Sequence, residues 1–385
     1  MEASPHLRKQ QAQLLSGTEE MKETDIGWTA PCKHIPGYNI TWCEDIRFVP
    51  KGMPPFQSYN HKNVTKSEVE ETSTPFILAH EFFDALPIHV FQNKANSKIP
   101  SSSTTLTPTG PIKPKTGPQV PKNHWHELLV APSPAADPTS TTKDPTPEFH
   151  LTVSKTPTPH SLYLPQMSKR YKALEKTDDA IIEISPESLS YISDFAVRIG
   201  GDNPPSDTTT TATTAAKPST TYTPTASTKN DPFLKPTPSG AALILDYGPA
   251  SSIPVNTLRG IRSHSPCSPF TSPGLVDLSA DVDFLALAEA ALKASPSVEI
   301  HGPVEQSFFL GTMAIKERAE NILRGVKDEE IRKRVETGWK RLVDRGPTGM
   351  GRIYKAMAIV PWKGEGEAGR RPVGFGGDVV GDGSK

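Results

Sequence analysis

Three stretches, near residues 94–122, 131–147 and 202–238, are built almost wholly from Ser, Thr, Pro, Lys and Gly, and they limit what the rest of the chain can become. Segments this poor in aliphatic side chains cannot offset the entropy of ordering themselves. They are predicted to be disordered insertions in surface loops, where added length costs little closure entropy. The composition of the whole chain agrees: 40 prolines and an apolar share of 35% in 385 residues fall short of a fully packed globule. What remains supports one sizeable core, here assigned to a single domain over 1–360 with a Gly-rich, loose tail over 361–385.

Between the insertions the punctuation is regular. Ser4 and Pro5 form an N-cap and first helical position. Leu7, Gln11, Leu14 and Leu15 then define one face of a helix about three turns long. A short strand is expected over Tyr38 to Cys43, and the compact apolar run Phe76-Ile77-Leu78-Ala79 reads as a buried parallel strand. Trp125 to Val130 resembles a strand returning to a sheet. Ala180 to Ile184 is a further strand, followed by Ser185-Pro186 and a helical face of Leu189, Ile192, Ala196 and Ile199. Gly240 to Gly248 is an apolar strand with a polar tip. Helices are predicted over Asp281–Ala294, Ser307–Arg324 (stopped by Gly325) and Asp328–Asp344, with strands at Ser297–Ile300 and Tyr354–Val360. Alternating strands and helices predict an α/β fold with a mostly parallel sheet.

The same sequence narrows the function. A formal charge of −1 gives no electrostatic case for nucleic acid or an anionic membrane as the main partner. No apolar run approaches the length of a membrane-spanning helix. Cys32, Cys43 and Cys267 form no disulfide framework and suit a reducing compartment. No metal site is expected, since Cys32, His34 and Cys43 lack a fourth ligand at zinc spacing. The Gly374-x-Gly376-Gly377 run follows no strand and opens no helix, so it lacks the context of a phosphate loop. The start, MEASPHLRKQ, is neither a signal peptide nor a transit peptide, and a helix already begins at Ser4. The chain is therefore expected to open inside a structural unit whose front end is missing.

In open α/β sheets ligands sit beyond the carboxyl ends of the strands. Three predicted strands end there in carboxylates, at Met1-Glu2, at Cys43-Glu44-Asp45 and at His80-Glu81-Phe82-Phe83-Asp84. Such acids can accept the two hydroxyls of a ribose, an adenine amino group and a cationic substrate, respectively. Each also has an ordinary reading. Glu2 can be a solvated charge at a strand end and Asp45 a turn cap. Glu81 and Asp84 can be acids placed ahead of a helix, where the macrodipole favours them.

The segments Glu2-Ala3-Ser4-Pro5-x-Leu7-Arg8, Glu81-Phe82-Phe83-Asp84-Ala85-Leu86-Pro87 and Leu245-Asp246-Tyr247-Gly248 together resemble the mitochondrial protein arginine methyltransferase family whose members are complex I assembly factors. The likeness continues, in family order, through Thr257 to His264, Asp277 to Phe284, Gly302-Pro303 with Ala319-Glu320, and Met350 to Ala358. It implies a Rossmann-like class I methyltransferase sheet and S-adenosylmethionine as cofactor. The substrate it implies is a protein arginine of a complex I subunit, symmetrically dimethylated in mitochondria. Carried onto this chain, it makes Glu2 and Asp45 the cofactor-binding acids and Glu81 and Asp84 the catalytic pair on the guanidinium. Asp246, Tyr247, Arg262 and His264 would line the substrate cleft. The family's first strand and Gly-rich cofactor loop, which precede the segment matching Glu2, have no counterpart here. A chain without them is expected to bind the cofactor weakly and to be inactive, or to serve as a non-catalytic assembly partner.

Overall fold

The computed structural model describes residues 1–49, 51, 74–95, 105–107, 110–112, 123–133, 147–202, 235, 237–263, 265–364 and 371–376. Two compact units divide the chain, one of residues 1–75 with 204–237 and the other of 76–203 with 238–385.

The first unit opens with α1 (Pro5–Ser16). The Ser4 side chain accepts from the Leu7 N–H at its start, and Gly17 closes it in the left-handed conformation at φ 78°. Three antiparallel strands follow, β1 (Lys22–Thr24), β2 (Gly27–Pro31) and β3 (Asn39–Trp42). Ala12, Ala30 and Trp42 form the core, with Leu15, Met21 and Ile40 against it. The helix does not bury the face predicted for it: Leu7 and Leu14 are 45% and 66% exposed, while Ala12 and Arg8 are buried. Arg8 earns its place through its partners, stacking 3.6 Å over the Trp28 ring and pairing with Glu44 at 3.0 Å. Met1-Glu2, read as a strand end, is not in a strand. Its backbone instead donates from the Glu2 N–H to the Cys43 carbonyl at 2.9 Å.

In the second unit β4 (Phe76–His80) leads through a turn into β5 (His89–Ala95). A two-stranded ribbon, β6 (Thr105–Thr107) with β7 (Gly110–Ile112), lies inside the stretch expected to be unstructured. Apart from that ribbon and their margins, the three low-complexity stretches lie outside the described residues. Next come β8 (Asn123–Pro132), β9 (Phe149–Val153), the short helices α2 (Pro159–Tyr163) and α3 (Lys169–Ala173), β10 (Ile181–Ile184) and α4 (Pro186–Gly200). Then follow β11 (Ala241–Tyr247), β12 (Arg259–Arg262), β13 (Ser265–Cys267), β14 (Asp277–Ser279) and α5 (Phe284–Ala294). The chain finishes with β15 (Val298–Glu305), α6 (Gln306–Thr312), α7 (Ile315–Gly325), α8 (Glu329–Val343) and β16 (Tyr354–Pro361).

The architecture is α/β, but the sheet is not mostly parallel. Of the sheet ordered β15-β16-β11-β4, only β11 and β4 run parallel, and β16 enters antiparallel to both of its neighbours. A second sheet, β10-β5-β8-β9, is antiparallel throughout. A third small sheet is ordered β13-β12-β14. β4 is an edge strand in the described sheet rather than a buried central one, and Phe76 and Leu78 are 82% and 69% exposed. The predicted helix 307–324 is two helices, because Ala314 takes a left-handed φ of 57° between them.

Of the tail expected over 361–385, residues 361–364 and 371–376 are described and the rest lies outside the described residues. Phe375 is buried, its ring 5.5 Å from that of Phe309. One core cluster of this unit joins Phe91, Trp125, Ile182 and Ile184 of the antiparallel sheet to Tyr171, Leu164 and Ala286.

Candidate functional site

Strand β11 buries every second residue, and Ala242, Ile244 and Asp246 share that buried phase. The third of these is a carboxylate with no exposed surface, so it must find donors. It finds them in the turn after the parallel neighbour β4. The Asp246 Oδ2 accepts from the backbone N–H groups of Phe82, Phe83 and Asp84 at 3.1, 2.9 and 3.4 Å, and Oδ1 accepts from its own neighbour Tyr247 at 2.9 Å. No helix follows Glu81 and Asp84: the acids lie in a turn wound around the Asp246 carboxylate. Burial, and next the charge of Asp84, push the Asp246 pKa up to about 7 despite those bonds.

The turn displays Glu81 and buries Asp84. Glu81 takes a positive φ of 47°, a conformation that a non-glycine residue keeps only where its surroundings fix it. Its Oε1 accepts from the hydroxyl of Tyr354 and, at 3.4 Å, from that of Tyr247. The two tyrosines face each other because β11 and β16 pair in a register that sets Tyr247 opposite Tyr354, with ring centroids 4.0 Å apart. Burial, and then the bond to Glu81, raise the Tyr354 pKa, so this phenol stays a donor. Asp84 is buried; its Oδ2 accepts from the Ser279 hydroxyl at 2.9 Å, while Oδ1 is buried with no hydrogen-bond partner among the described residues. Its pKa is raised, by burial first; the Ser279 bond opposes that and the neighbouring Glu81 charge adds to it.

Behind the turn, Gly248 follows β11 at φ 150°, where a Cβ would sit 2.3 Å from the Val282 carbonyl oxygen. The close approach allows Val282 N–H to bond Tyr247 O at 2.9 Å, while Ala280 N–H bonds Asp84 O at the same distance. Arg259 lies 5.3 Å from the Tyr247 ring centre and is anchored to Asp281 at 2.6 Å. One acidic patch, flanked by two phenols and a guanidinium, is the result.

The sequence candidates thus separate. Glu81, Asp84, Asp246 and Tyr247 come together. Arg262 is exposed at the end of β12, opposite Ser265, and His264 lies outside the described residues. Tyr354, Ser279 and Arg259 join the patch without having been singled out. Tyr354 opens the predicted last strand, but only the strand register reveals its partner.

Glu2 and Asp45 belong to the first unit. Glu2 accepts from Ser4 N–H at 2.9 Å on Oε1 and from Gln11 Nε2 at 3.0 Å on Oε2. Each of those oxygens keeps a second lone pair, which fits a carboxylate able to take two ribose hydroxyls. Asp45 caps the short 3-10 turn Ile46–Phe48 and binds the side chain of Arg47, with Nε to Oδ2 at 2.7 Å. Its carboxylate is thus already engaged by Arg47 through both oxygens, an adenine amino group having to share it.

Residues 1–304 match the family described as "Putative S-adenosyl-L-methionine-dependent methyltransferase", and the chain belongs to it. S-adenosylmethionine is the cofactor of that family. Among curated relatives, the chain is 26% identical to "Protein arginine methyltransferase NDUFAF7, mitochondrial" of Rattus norvegicus over 84% of its own length and 50% of the relative's. With the protein of the same name from Homo sapiens it shares 25% identity over 94% of this chain and 58% of that one. The chain spans about half to three-fifths of the length of these relatives. A crystal structure of a superfamily member from Burkholderia thailandensis bound to S-adenosyl-homocysteine aligns with TM-score 0.44 and 16% identity, covering 75% of this chain and 54% of that one. Among the described residues, no helix is long and apolar enough to cross a membrane.

Proposed function

We propose that the turn 81–84 receives the guanidinium of a protein arginine and presents one of its nitrogens for methylation. The observation that carries this reading is the unequal pair of oxygens on Asp84. One is held by Ser279, and the other is buried without a donor among the described residues, although a buried acceptor is costly unless a donor reaches it. A planar guanidinium brings several N–H groups in a fixed fork, matched to carboxylates that are already in place. Glu81, braced by Tyr354 and Tyr247, would take a second nitrogen, and the phenol rings offer faces on which the cation can rest.

S-adenosylmethionine, when bound, supplies the methyl group. The chain's own residues then have three tasks. Glu81 and Asp84 draw positive charge toward two nitrogens and leave the third as the nucleophile. Asp246 fixes the backbone of the turn that carries them, acting as a positioning residue. As the attacking nitrogen loses its proton, a carboxylate of the pair can take it. Glu2 would hold the cofactor's ribose. Following the resemblance, the product is symmetric dimethylarginine on a complex I subunit, formed in mitochondria during assembly of that complex.

The test is a methyl-transfer assay on arginine peptides with Glu81→Gln and Asp84→Asn in the longest form that the gene encodes. Each loses charge-assisted bonds worth roughly 1.5–3 kcal/mol, so the rate should fall about 10- to 150-fold. The dissociation constant of S-adenosylmethionine should stay within about threefold. Equal losses in cofactor binding would move the pair to the wrong half of the site. Peptide binding without any transfer in the unaltered protein would instead support a non-catalytic assembly role.

A further inference from the structure

Away from the acidic patch, three side chains from three elements of the second unit converge. His89 opens β5, Glu127 lies within β8, and His160 sits in the first turn of α2. The Glu127 Oε1 is 2.6 Å from His89 Nδ1 and 3.9 Å from His160 Nδ1, and the two imidazole rings are centred 4.3 Å apart. One ligand atom from each lies within 4.8 Å of the other two. We propose that His89, Glu127 and His160 form a binding site for a divalent transition metal of the zinc class.

The donor set selects the metal. Two neutral imidazoles and one carboxylate are an N2O set, suited to zinc and its first-row neighbours and poorly suited to calcium or magnesium, which prefer oxygen ligands throughout. A tetrahedral ion about 2.0–2.1 Å from each ligand needs ligand atoms about 3.3 Å apart. Of the three gaps, one would widen from 2.6 Å and one shrink from 3.9 Å, each by less than about 1 Å, and the third, between the imidazoles, lies within 4.8 Å and would close by at most about 1.5 Å. His160, whose side chain is 57% exposed, is free enough to supply the adjustment by rotating.

The carboxylate is already oriented for the task. Its side chain is 8% exposed, and Thr158 donates to Oε2 at 2.5 Å, leaving Oε1 toward the imidazoles. Thr158 is itself fixed as the N-cap of α2, exchanging bonds with Ser161. The Glu127 backbone is pinned to Ser154, with N–H to Oγ at 3.1 Å and carbonyl oxygen to Ser154 N–H at 2.8 Å. Outer partners of this kind hold a ligating group in its rotamer and commonly change affinity tenfold or more. Binding would displace the proton between His89 and Glu127 and tie α2 to the β5–β8 pair. With three protein ligands, a fourth position stays with water. The three residues stand far apart in sequence, which is why ligand spacing gave no sign of them.

The full chain, stripped with a chelator and dialysed, would be titrated with Zn2+ by calorimetry and with Co2+ as a visible-absorption probe. One metal per chain is expected, with a dissociation constant below about 1 μM and the intense d–d bands of a four-coordinate cobalt site. His160→Ala, a largely exposed change that leaves the fold intact, and Glu127→Gln should each weaken Zn2+ binding at least about tenfold. Both should also abolish the metal-dependent rise in thermal midpoint. Absence of stoichiometric binding, or binding that is unchanged in both variants, overturns the proposal. So does binding that survives His160→Ala and disappears in Cys32→Ser.

Discussion

Exchanging Asp246 for asparagine alters a buried charge at nearly constant volume, and the structure sets both the size and the pH dependence of the effect. The Asp246 carboxyl has its ordinary pKa of 3.8 in the unfolded chain and is pushed up to about 7 when folded. Between those values the folded protein binds more protons than the unfolded one. Stability from this group is therefore greatest at low pH and is lost as pH rises through about 7. From pH 5 to pH 8 the loss is about 2 to 3 kcal/mol for a single site with these values. Asp84, also raised, contributes with the same sign and remains in the variant, though relieved of the neighbouring charge. Asparagine can keep its oxygen toward the three N–H groups of the turn, but its amide then faces the Tyr247 N–H. One bond is lost and a buried donor left idle, at about 1–3 kcal/mol. Urea unfolding followed by tryptophan fluorescence at pH 5, 6, 7 and 8 measures both quantities. Asp246→Asn should be less stable than the unaltered chain at pH 5, and its stability should decline much less steeply toward pH 8. If the two profiles run parallel within about 0.5 kcal/mol, Asp246 is ionised throughout and the amide bonds outweigh its burial.

Two further outcomes are expected. Phe375→Ala should cost about 3 kcal/mol in thermal or urea unfolding, because a buried ring packed on Phe309 is removed; a change under about 0.5 kcal/mol would show that residues 371–376 add nothing to the core. Deleting 204–236 should change stability by less than about 1 kcal/mol, since Ser239 N–H already bonds Ile199 O at 3.0 Å and holds the ends of the excursion together. Loss of cooperative unfolding in that deletion would refute it.

Elements with local signals were legible in the sequence. Ser185-Pro186 and Asp328 cap α4 and α8 where expected, and the apolar runs of β10, β11 and β16 need no tertiary knowledge to read as strands. Strand direction was not legible, because an alternating chain says nothing about which neighbour a strand will meet. β16 comes back antiparallel to β11, and only that pairing joins Tyr354 to Glu81. The break at Ala314 was hidden for a different reason, as neither glycine nor proline marks it. Burial misled in both directions. Phe76 and Leu78 are apolar yet exposed on an edge, whereas Asp246 is charged and fully enclosed, since a ring of backbone donors satisfies it. Glu81 and Asp84 were identified from the acids themselves. Ser279, which sets the two Asp84 oxygens apart, offers no signal before the fold is known.

The reach of the contacts at Glu81 also has a meaning in time. Its turn is held by a carboxylate about 160 residues downstream, and its side chain by a phenol 273 residues downstream. At translation rates of about 5–20 residues per second, the acidic turn is synthesised about 14 to 55 s before Tyr354. Throughout that interval the two acids have no assembled seat, and a chain interrupted before β16 carries the turn without its clamp. The patch is thus finished by a strand synthesised long after the turn, so that chains interrupted before it lack the bracing that β16 gives to Glu81.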